Sequence, residues 1–175
     1  NLVEAEQETG VLEEGERDMI QGVFGFHDRV VREVMVPRVD MTAVEQSDSL
    51  RDLLDVIRET GHSRVPLYEE SLDQIRGVVY VQDLLHLLVS RADLDLDRPL
   101  REFLVEDSQK EKDSIPFSHV AYHVPETKKV DELLTDLKTA RTRLAIVVDE
   151  YGGTAGLVTT EDLVEEIVGE MQDEY

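Results

Sequence analysis

Two stretches of this chain, 79 residues apart, carry the same pattern of residues. Residues 77–85 read GVVYVQDLL, and residues 156–164 read GLVTTEDLV. Upstream of each stretch, residues 63–67 (SRVPL) and 142–146 (TRLAI) repeat at the same offset. An internal repeat of this kind predicts two copies of one structural unit. Because each copy is too small to bury its apolar faces well alone, we expect the copies to pack around a pseudo-twofold axis.

Each copy has the pattern of a β-α-β-β-α unit. An extended segment (residues 41–44 or 121–124) leads to a predicted helix N-cap at Ser47 or Thr127, and apolar residues follow at helical spacing. A short apolar strand, a polar turn and a second strand come next, and the second strand runs into a second helix. The predicted fold class is therefore α+β: two pseudo-symmetric β-α-β-β-α units behind an N-terminal connecting helix.

The repeats divide the 175 residues into four predicted parts. Residues 1–33 form an N-terminal linker and helix, and residues 34–98 form the first repeat. Residues 99–120 form a linker with a polar insertion, and residues 121–175 form the second repeat and a C-terminal helix. Since the chain begins and stops within helical patterns, we expect it to be a piece of a longer protein whose membrane segments lie outside it.

The charge balance and residue usage exclude several classes of function. Eighteen Lys and Arg against forty Asp and Glu give a net charge of −22, which repels phosphate backbones and argues against nucleic-acid binding. The absence of Cys excludes disulfides, Cys-ligated zinc and thiol nucleophiles. No nucleophile–base pair, Walker loop or metal-ligand helix occurs in the sequence, so we predict neither catalysis nor a metal site.

The strand-to-helix junction of the second repeat carries the most informative polar residues, Thr159 and Asp162. A helix N-terminus favours an anionic group, Thr159 can donate its hydroxyl, and Asp162 can accept from a diol such as ribose. The same pair also suits a capping box without any ligand, and the spacing leaves both interpretations open. In the first copy Tyr80 replaces the Thr, which makes Asp83 a weaker candidate.

Other residues around this junction have the chemistry of a phosphate and base site. Arg64 and Arg143 open the short strands and could supply the positive charge that a phosphate requires. Val36 and Pro37 in the extended lead could sandwich a flat base. His119 and His123 are four residues apart, but no further ligand completes a metal set, so we interpret both as surface histidines.

The pattern HSRVP at residues 62–66, together with Gly-x-x-Thr-x-x-Asp at 156–162, resembles the CBS domain family, whose members work as tandem pairs. Four motifs resemble the narrower CorC/HlyC group of bacterial proteins linked to magnesium and cobalt efflux and once called hemolysin-like: VMVPR (34–38), GHSRVP (61–66), DEYGGT (149–154) and EEIVGE (165–170). The resemblance covers the chain from about residue 12 onward.

This resemblance implies a regulatory module of a membrane transporter of divalent cations, Mg²⁺ or cobalt. The module would lie on the cytoplasmic side of the inner membrane, the fragment itself being soluble. It would bind an adenosine nucleotide, ATP or AMP, between its two repeats, with Mg²⁺ as a minor candidate ligand. The parent's own membrane domain and a second copy of the chain are the implied protein partners.

The resemblance also assigns roles to individual residues. Asp162 would hold the ribose hydroxyls, Thr159 the ribose or α-phosphate, and Arg64 and Arg143 the phosphates. The other implied nucleotide-binding residues lie around the base, the sugar or the edge of the ligand: Val36, Pro37, Thr42, His62, Ser63 and Thr142. A second, weaker site around Asp83 would draw on Tyr122 and Arg141.

Two other interpretations of the sequence stay open beside this one. The repeats could serve as a ligand-independent dimerisation module of the parent protein, since symmetric homodimers are the commonest soluble oligomers. Alternatively, the acidic C-terminal helix could sense Mg²⁺ directly, because hard cations prefer carboxylate oxygens. Its carboxylates are Glu161, Asp162, Glu165, Glu166, Glu170, Asp173 and Glu174.

Overall fold

The computed structural model describes residues 28–103 and 118–173, with side chains up to residue 169. The predicted N-terminal helix up to residue 27 and most of the predicted polar insertion lie outside the described residues. In the first half, the elements are α1 (Val31–Val34), β1 (Val36–Pro37), a 3₁₀ turn (Arg38–Asp40), β2 (Val44–Glu45), α2 (Leu50–Thr60), β3 (Arg64–Glu69), β4 (Ser71–Tyr80) and α3 (Val81–Ser90).

The second half follows the same order after a 3₁₀ turn at Leu100–Phe103. Its elements are β5 (Ser118–His119), β6 (Tyr122–Pro125), α4 (Val130–Ala140), β7 (Leu144–Val148), β8 (Thr154–Thr159) and α5 (Thr160–Asp173). The predicted β-α-β-β-α unit is therefore confirmed twice, as β2-α2-β3-β4-α3 and as β6-α4-β7-β8-α5. Within the described ranges, no helix has the length and apolar character needed to cross a membrane.

The strands form two four-stranded sheets, ordered β2-β3-β4-β5 and β1-β8-β7-β6. In each sheet the fourth strand comes from the segment that leads into the other repeat. Strand β1 pairs antiparallel with β8, which places Val36 opposite Leu157. Strand β5 pairs antiparallel with β4, which places His119 opposite Val78. The two repeats therefore exchange edge strands, a feature that the sequence pattern did not predict.

Among residues 28–103 and 118–169, the core has three aliphatic clusters. One lies within each repeat, and the third joins them: Val78 of β4 packs with Leu144, Ile146 and Leu157 of the second repeat. Fully burying an aliphatic side chain contributes about 1.5–3 kcal/mol, so the shared cluster stabilises the contact between repeats substantially. The expectation that the copies pack on each other is confirmed.

The predicted helix start at Ser47 is wrong by two residues. Helix α2 is capped by Ser49, whose hydroxyl accepts a hydrogen bond from the backbone N–H of Asp52 at 3.1 Å. The Asp52 carboxylate in turn accepts from the Ser49 backbone N–H at 3.0 Å, which completes a capping box. The Ser47 hydroxyl instead donates to the carboxylate of Glu45.

The predicted cap at Thr127 is likewise two residues early. Helix α4 has Lys129 at its N-cap and no side-chain cap. The backbone N–H of Val130 donates instead to the carbonyl of Arg29 at 3.0 Å. A helix needs partners for its first N–H groups, and here a chain segment about 100 residues away in sequence provides one of them. No local motif encodes such a cap.

Candidate functional site

A cavity of about 360 Å³ lies between the two repeats, beside the N-terminus of α5. Its walls contain seven of the ten predicted nucleotide-binding residues: Val36, Thr42, His62, Ser63, Arg64, Thr159 and Asp162. Six further residues that the sequence analysis did not single out for nucleotide binding complete the lining: Asp40, Met41, Gly61, Leu144, Leu157 and Glu161. Most of the predicted set is therefore brought together at one place by elements of both repeats.

Thr159 and Asp162 form a reciprocal capping box at the start of α5. The Asp162 backbone N–H donates to the Thr159 hydroxyl at 3.1 Å, and the Thr159 backbone N–H donates to an Asp162 carboxylate oxygen at 3.3 Å. A hydroxyl that accepts one hydrogen bond keeps its own hydrogen to donate, and a carboxylate has a second oxygen. The cap therefore fixes both side chains at the cavity wall without using up the groups that would bind a diol.

Arg64 is held inside the cavity wall, and only 15% of its side chain is exposed. Its guanidinium donates to both carboxylate oxygens of Glu161, at 3.1 and 3.2 Å. Arg143 approaches the same carboxylate at 3.9 Å, but its side chain is 69% exposed, which places it at the rim. Two cations and one anion thus meet at the mouth of the cavity.

Glu161 was missed as a possible ligand-site residue. The sequence placed it among the acidic residues of α5, which most often form a solvated helix face. Its role depends on Arg64, which lies 97 residues away in sequence. The sequence did offer one indication of this role. Glu161 lies in the first turn of α5, between Thr159 and Asp162, so its side chain lies beside any ligand at the helix N-terminus.

The turn after α2 delivers His62 and Ser63 to the opposite wall. Helix α2 ends at Gly61, which adopts a left-handed conformation with φ of 69°, and its N–H donates to the carbonyl of Ile57 at 2.8 Å. A glycine at this position ends the helix without steric cost. The chain therefore reverses directly into β3, and the residues of the turn line the cavity.

Strand β1 forms the wall that was predicted to contact a base. Val36 lies so close to β8 that a Cβ atom at Gly156 would lie 2.2 Å from the Val36 carbonyl oxygen. Only glycine permits this approach. Pro37, which was predicted to contact a base as well, is exposed in β1 opposite Gly156 and does not line the cavity.

The 3₁₀ turn after β1 is tied to both repeats by Arg38. Its guanidinium donates to the Thr154 carbonyl at 3.0 Å and to the carboxylate of Asp73 in β4. Asp73 also accepts from the Thr154 backbone N–H at 3.0 Å. The Arg38 hydrogen bond, followed by that from Thr154, lowers the pKa of Asp73 below its usual value of 3.8. This ionic contact holds in place the segment from which Asp40 faces the cavity.

Thr142, also predicted to contact the ligand, lies beside the cavity and does not line it. Its hydroxyl donates to the carbonyl of Leu144 at 3.3 Å and lies 3.3 Å from the hydroxyl of Tyr80. The Tyr80 hydroxyl therefore reaches the second repeat, although Tyr80 belongs to the first.

The equivalent cleft around Asp83 is built differently. A carboxylate oxygen of Asp83 lies 2.5 Å from Nε2 of His119. The His119 ring also stacks on Tyr80, with the ring centroids 4.0 Å apart. His119 is exposed, as the surface interpretation predicted, but it also pairs with Asp83 and stacks on Tyr80, which the sequence did not indicate. Tyr122, predicted for this site, packs against the core of the second repeat, and Arg141 ends α4 as an exposed left-handed residue with φ of 54°.

Within the described residues, no three His, Asp or Glu side chains converge to hold a metal ion. The carboxylate of Glu161 is already shared by Arg64 and Arg143. The chemistry of the cavity is thus hydroxyl, carboxylate and guanidinium against an aliphatic wall, which suits a sugar, a phosphate and a flat apolar group together.

Comparison with known proteins identifies the family to which this chain belongs. The family profile of the CBS domain matches residues 31–90 and 115–169, so the chain belongs to the CBS domain family. It is 38% identical over 175 residues to the "magnesium and cobalt efflux protein CorC" of Escherichia coli K12, as the CorC/HlyC resemblance led us to expect. The match covers 99% of this chain and 54% of that protein, so the chain spans about half the length of this relative.

Solved structures support the same assignment. The CBS domain of a bacterial CNNM/CorC family Mg²⁺ transporter, in complex with an inhibitor, is 40% identical with a TM-score of 0.79, covering 96% of this chain and 93% of that one. The ATP complex of such a domain is 42% identical with a TM-score of 0.73, covering 88% and 97%. An AMP-bound CBS-domain pair from Klebsiella pneumoniae is 26% identical with a TM-score of 0.60, covering 80% and 98%.

Proposed function

We propose that this chain is the nucleotide-sensing regulatory module of a membrane transporter of divalent cations, placed on the cytoplasmic side of the membrane. It binds ATP or AMP in the cavity between its repeats, and catalyses no reaction. Binding changes the relative packing of the repeats, and the flanking helices transmit that change to the membrane domain of the parent. The similarity to CorC and to ATP- and AMP-bound CBS structures supports this choice of ligand.

One observation carries the proposal: Thr159, Asp162 and Arg64 line a single cavity, although Arg64 belongs to the other repeat. Asp162 offers an acceptor for ribose hydroxyls, and Thr159 offers a donor. Arg64 offers a partly buried guanidinium for a phosphate, and such charge-assisted contacts are stronger than neutral ones. Val36 and Leu157 add the aliphatic surface on which a base would pack.

Glu161 opposes the phosphates of a nucleotide unless its charge is offset. It lines the cavity, pairs with Arg64 and lies 3.9 Å from the Arg143 guanidinium. The whole chain also carries a net charge of −22. We therefore propose that Mg²⁺ accompanies ATP, since a hard cation bridges phosphate and carboxylate oxygens. AMP, with fewer charges, needs this help less.

Titration calorimetry with AMP, ADP and ATP, each with and without Mg²⁺, tests the proposal directly. We expect one site per chain, with Mg²⁺ strengthening ATP binding more than AMP binding. A chain that is folded by circular dichroism but gives no heat with any nucleotide would exclude a nucleotide site.

Two carboxylate variants provide matched controls. Asp162→Ala should weaken binding far more than Asp83→Ala, because Asp83 is engaged by His119. Asp162→Ala also removes the acceptor for the Thr159 backbone N–H, which is one half of the capping box at the start of α5. Asp162→Asn keeps a capping oxygen and removes the charge, so it separates loss of the ligand contact from loss of stability. Equal effects of the Asp162 and Asp83 substitutions would contradict this assignment of the site.

A dimerisation role is a second candidate, favoured by a different observation. Helix α3 exposes Leu85 and Val89, and α5 exposes Val164 and Val168. Each pair is four residues apart, hence on one helix face, and the pairs are equivalent at the repeat offset of 79. Exposed apolar pairs at symmetric positions suit a self-complementary homodimer contact.

Light scattering of the wild type and of the double variant Leu85→Glu/Val164→Glu, with and without ATP, tests the dimer. We expect the variant to be monomeric, and Val120→Glu, at another exposed valine, to leave the dimer intact. A dimer indifferent to nucleotide, in a chain that binds none, would support the assembly role alone. No observation within the described part of the chain favours direct Mg²⁺ sensing by α5.

A further inference from the structure

Tyr80 lies between the cavity wall and the contact of Asp83 with His119. On one side its ring stacks on His119, with centroids 4.0 Å apart and ring planes at 30°. On the other side, the Arg64 guanidinium carbon lies 5.8 Å from the centroid of the same ring. The Tyr80 hydroxyl lies 3.3 Å from the Thr142 hydroxyl. One aromatic side chain therefore contacts both His119 and the arginine of the cavity wall.

His119, on the other side of Tyr80 from Arg64, is itself held in place by two contacts. Strand β5 brings His119 opposite Val78 of β4, and Nε2 of His119 meets an Asp83 carboxylate oxygen. Asp83 and Tyr80 are the counterparts, 79 residues earlier, of Asp162 and Thr159. The second repeat uses its pair to cap a helix beside the cavity. The first repeat uses its pair to hold a histidine.

Arg64 depends on such support because a guanidinium on a long side chain has many rotamers. Its ion pair with Glu161 fixes one side of the group, and Glu161 itself is 56% exposed. A tyrosine ring within about 6 Å attracts the cation electrostatically and remains if Glu161 turns toward solvent or toward Mg²⁺. The ring therefore restricts Arg64 even when its anionic partner is lost.

We propose that Tyr80 is a positioning residue for phosphate recognition: the Asp83–His119–Tyr80 stack supports Arg64 in the orientation that binds a nucleotide phosphate. This inference rests on the proposed function and deepens it. The first cleft then does not take up a second nucleotide. Its residues instead favour ligands that carry phosphate at the other site.

Calorimetry on the full chain tests the inference, with ATP and adenosine as ligands. Tyr80→Leu removes the ring and should weaken ATP binding about two- to fivefold, the effect of losing a partly exposed cation–π contact, while adenosine binding stays unchanged. Tyr80→Phe keeps the ring and loses only the contact with Thr142, so its ATP affinity should stay close to that of the wild type. His119→Ala frees the stack without touching the cavity and should weaken ATP in the same direction as Tyr80→Leu.

A double-mutant cycle with Arg64→Gln separates positioning from general stabilisation. If Tyr80 acts through Arg64, Tyr80→Leu has no further effect on ATP affinity once Arg64 is replaced. Additive losses, or an equal loss of ATP and adenosine affinity, would overturn the inference while leaving the nucleotide site intact. Absence of any nucleotide binding by the wild type would overturn both. If Tyr80→Leu does not fold, His119→Ala takes its place in the same cycle.

Discussion

His119 occupies, in the sheet of the first repeat, the position that Val36 occupies in the sheet of the second. His119 lies opposite Val78, and Val36 lies opposite Leu157. Val78 and Leu157 are themselves equivalent at the repeat offset of 79. Val36 leaves space for the cavity, whereas His119 reaches across to Asp83. The two clefts thus differ through side chains on a shared backbone plan.

This equivalence predicts that a second nucleotide site can be opened by two substitutions. The double variant Tyr80→Thr/His119→Val gives the first cleft the residues of the second, with Asp83 free to bind a ribose. We expect calorimetry with ATP to report close to two sites per chain, the original site being a fewfold weaker because Arg64 loses its supporting ring.

Adding Asp83→Ala to that double variant is the control for the new site. It should return the stoichiometry to one, since the diol acceptor is removed. A double variant that still binds a single nucleotide would mean that the Asp83 cleft is closed by something other than Tyr80 and His119.

The order of helices and strands followed from the sequence because it depends on local periodicity. The apolar spacing in α2 and α4 occurs in both copies, and so does the glycine within β4 and β8 (Gly77 and Gly156), so each copy supported the prediction for the other. The pairing of β1 with β8 and of β5 with β4 could not be predicted from the sequence. Each of these strands has two residues, too few for an alternating pattern, and its partner is chosen by packing between the repeats.

The site was predicted where residue type alone determines chemistry. Thr159, Asp162 and Arg64, which the structure brings to one cavity, could be selected from the sequence because hydroxyl, carboxylate and guanidinium groups suit a ribose and a phosphate. Glu161 and His119 could not, since their roles depend on partners 97 and 36 residues away. Thr142 and Pro37 were expected in the cavity wall, but each lies just beside it. The packing of the strands determines which of two neighbouring residues faces the cavity, and the sequence does not show that packing.

Glu161→Gln should change how nucleotide binding depends on Mg²⁺. Removing this carboxylate releases Arg64 and lowers repulsion at the cavity mouth, so ATP binding without Mg²⁺ should strengthen about two- to fivefold, in line with the energy of an exposed ion pair. The benefit of adding Mg²⁺ should shrink correspondingly. Calorimetry at constant ionic strength measures both effects.

Glu165→Gln is the matched control, since Glu165 lies one turn further along α5 and is exposed to solvent. It removes the same charge from the chain and should leave the Mg²⁺ dependence unchanged. If both variants bind ATP more strongly to the same extent, the effect belongs to the net charge and not to Glu161.

The contact between Arg38 and Asp73 predicts a pH-dependent stability. The hydrogen bonds from Arg38 and Thr154 lower the pKa of Asp73 in the folded chain, below its value of 3.8 in an unfolded chain. A lowered carboxyl pKa adds stability above the unfolded value and loses it as the pH falls through the folded value. Asp73→Asn should therefore lower the melting temperature near neutral pH, and the difference from the wild type should shrink below about pH 4.

Thermal unfolding of both proteins across this pH range measures the effect. Asp97→Asn serves as the control, because Asp97 forms an exposed ion pair with Arg51 within the first repeat and does not link the repeats. A constant difference between wild type and Asp73→Asn at all pH values would show that the charge of Asp73 is not what stabilises the contact.

Gly156→Ala should separate β1 from β8 and thereby damage the cavity. The added Cβ would lie 2.2 Å from the Val36 carbonyl oxygen and 3.0 Å from the Met35 sulfur. The carbonyl belongs to a paired strand and cannot simply turn away, so we expect a loss of about 1–3 kcal/mol in the free energy of unfolding. Urea unfolding measures this loss, and calorimetry should show weaker nucleotide binding because Val36 moves.

Gly169→Ala is the control: nothing lies within 4 Å of its added Cβ in α5, and alanine should raise stability by up to about 1 kcal/mol. Equal stability of the two variants would mean that β1 can shift on β8 without cost, and that the wall formed by Val36 is not fixed by this glycine.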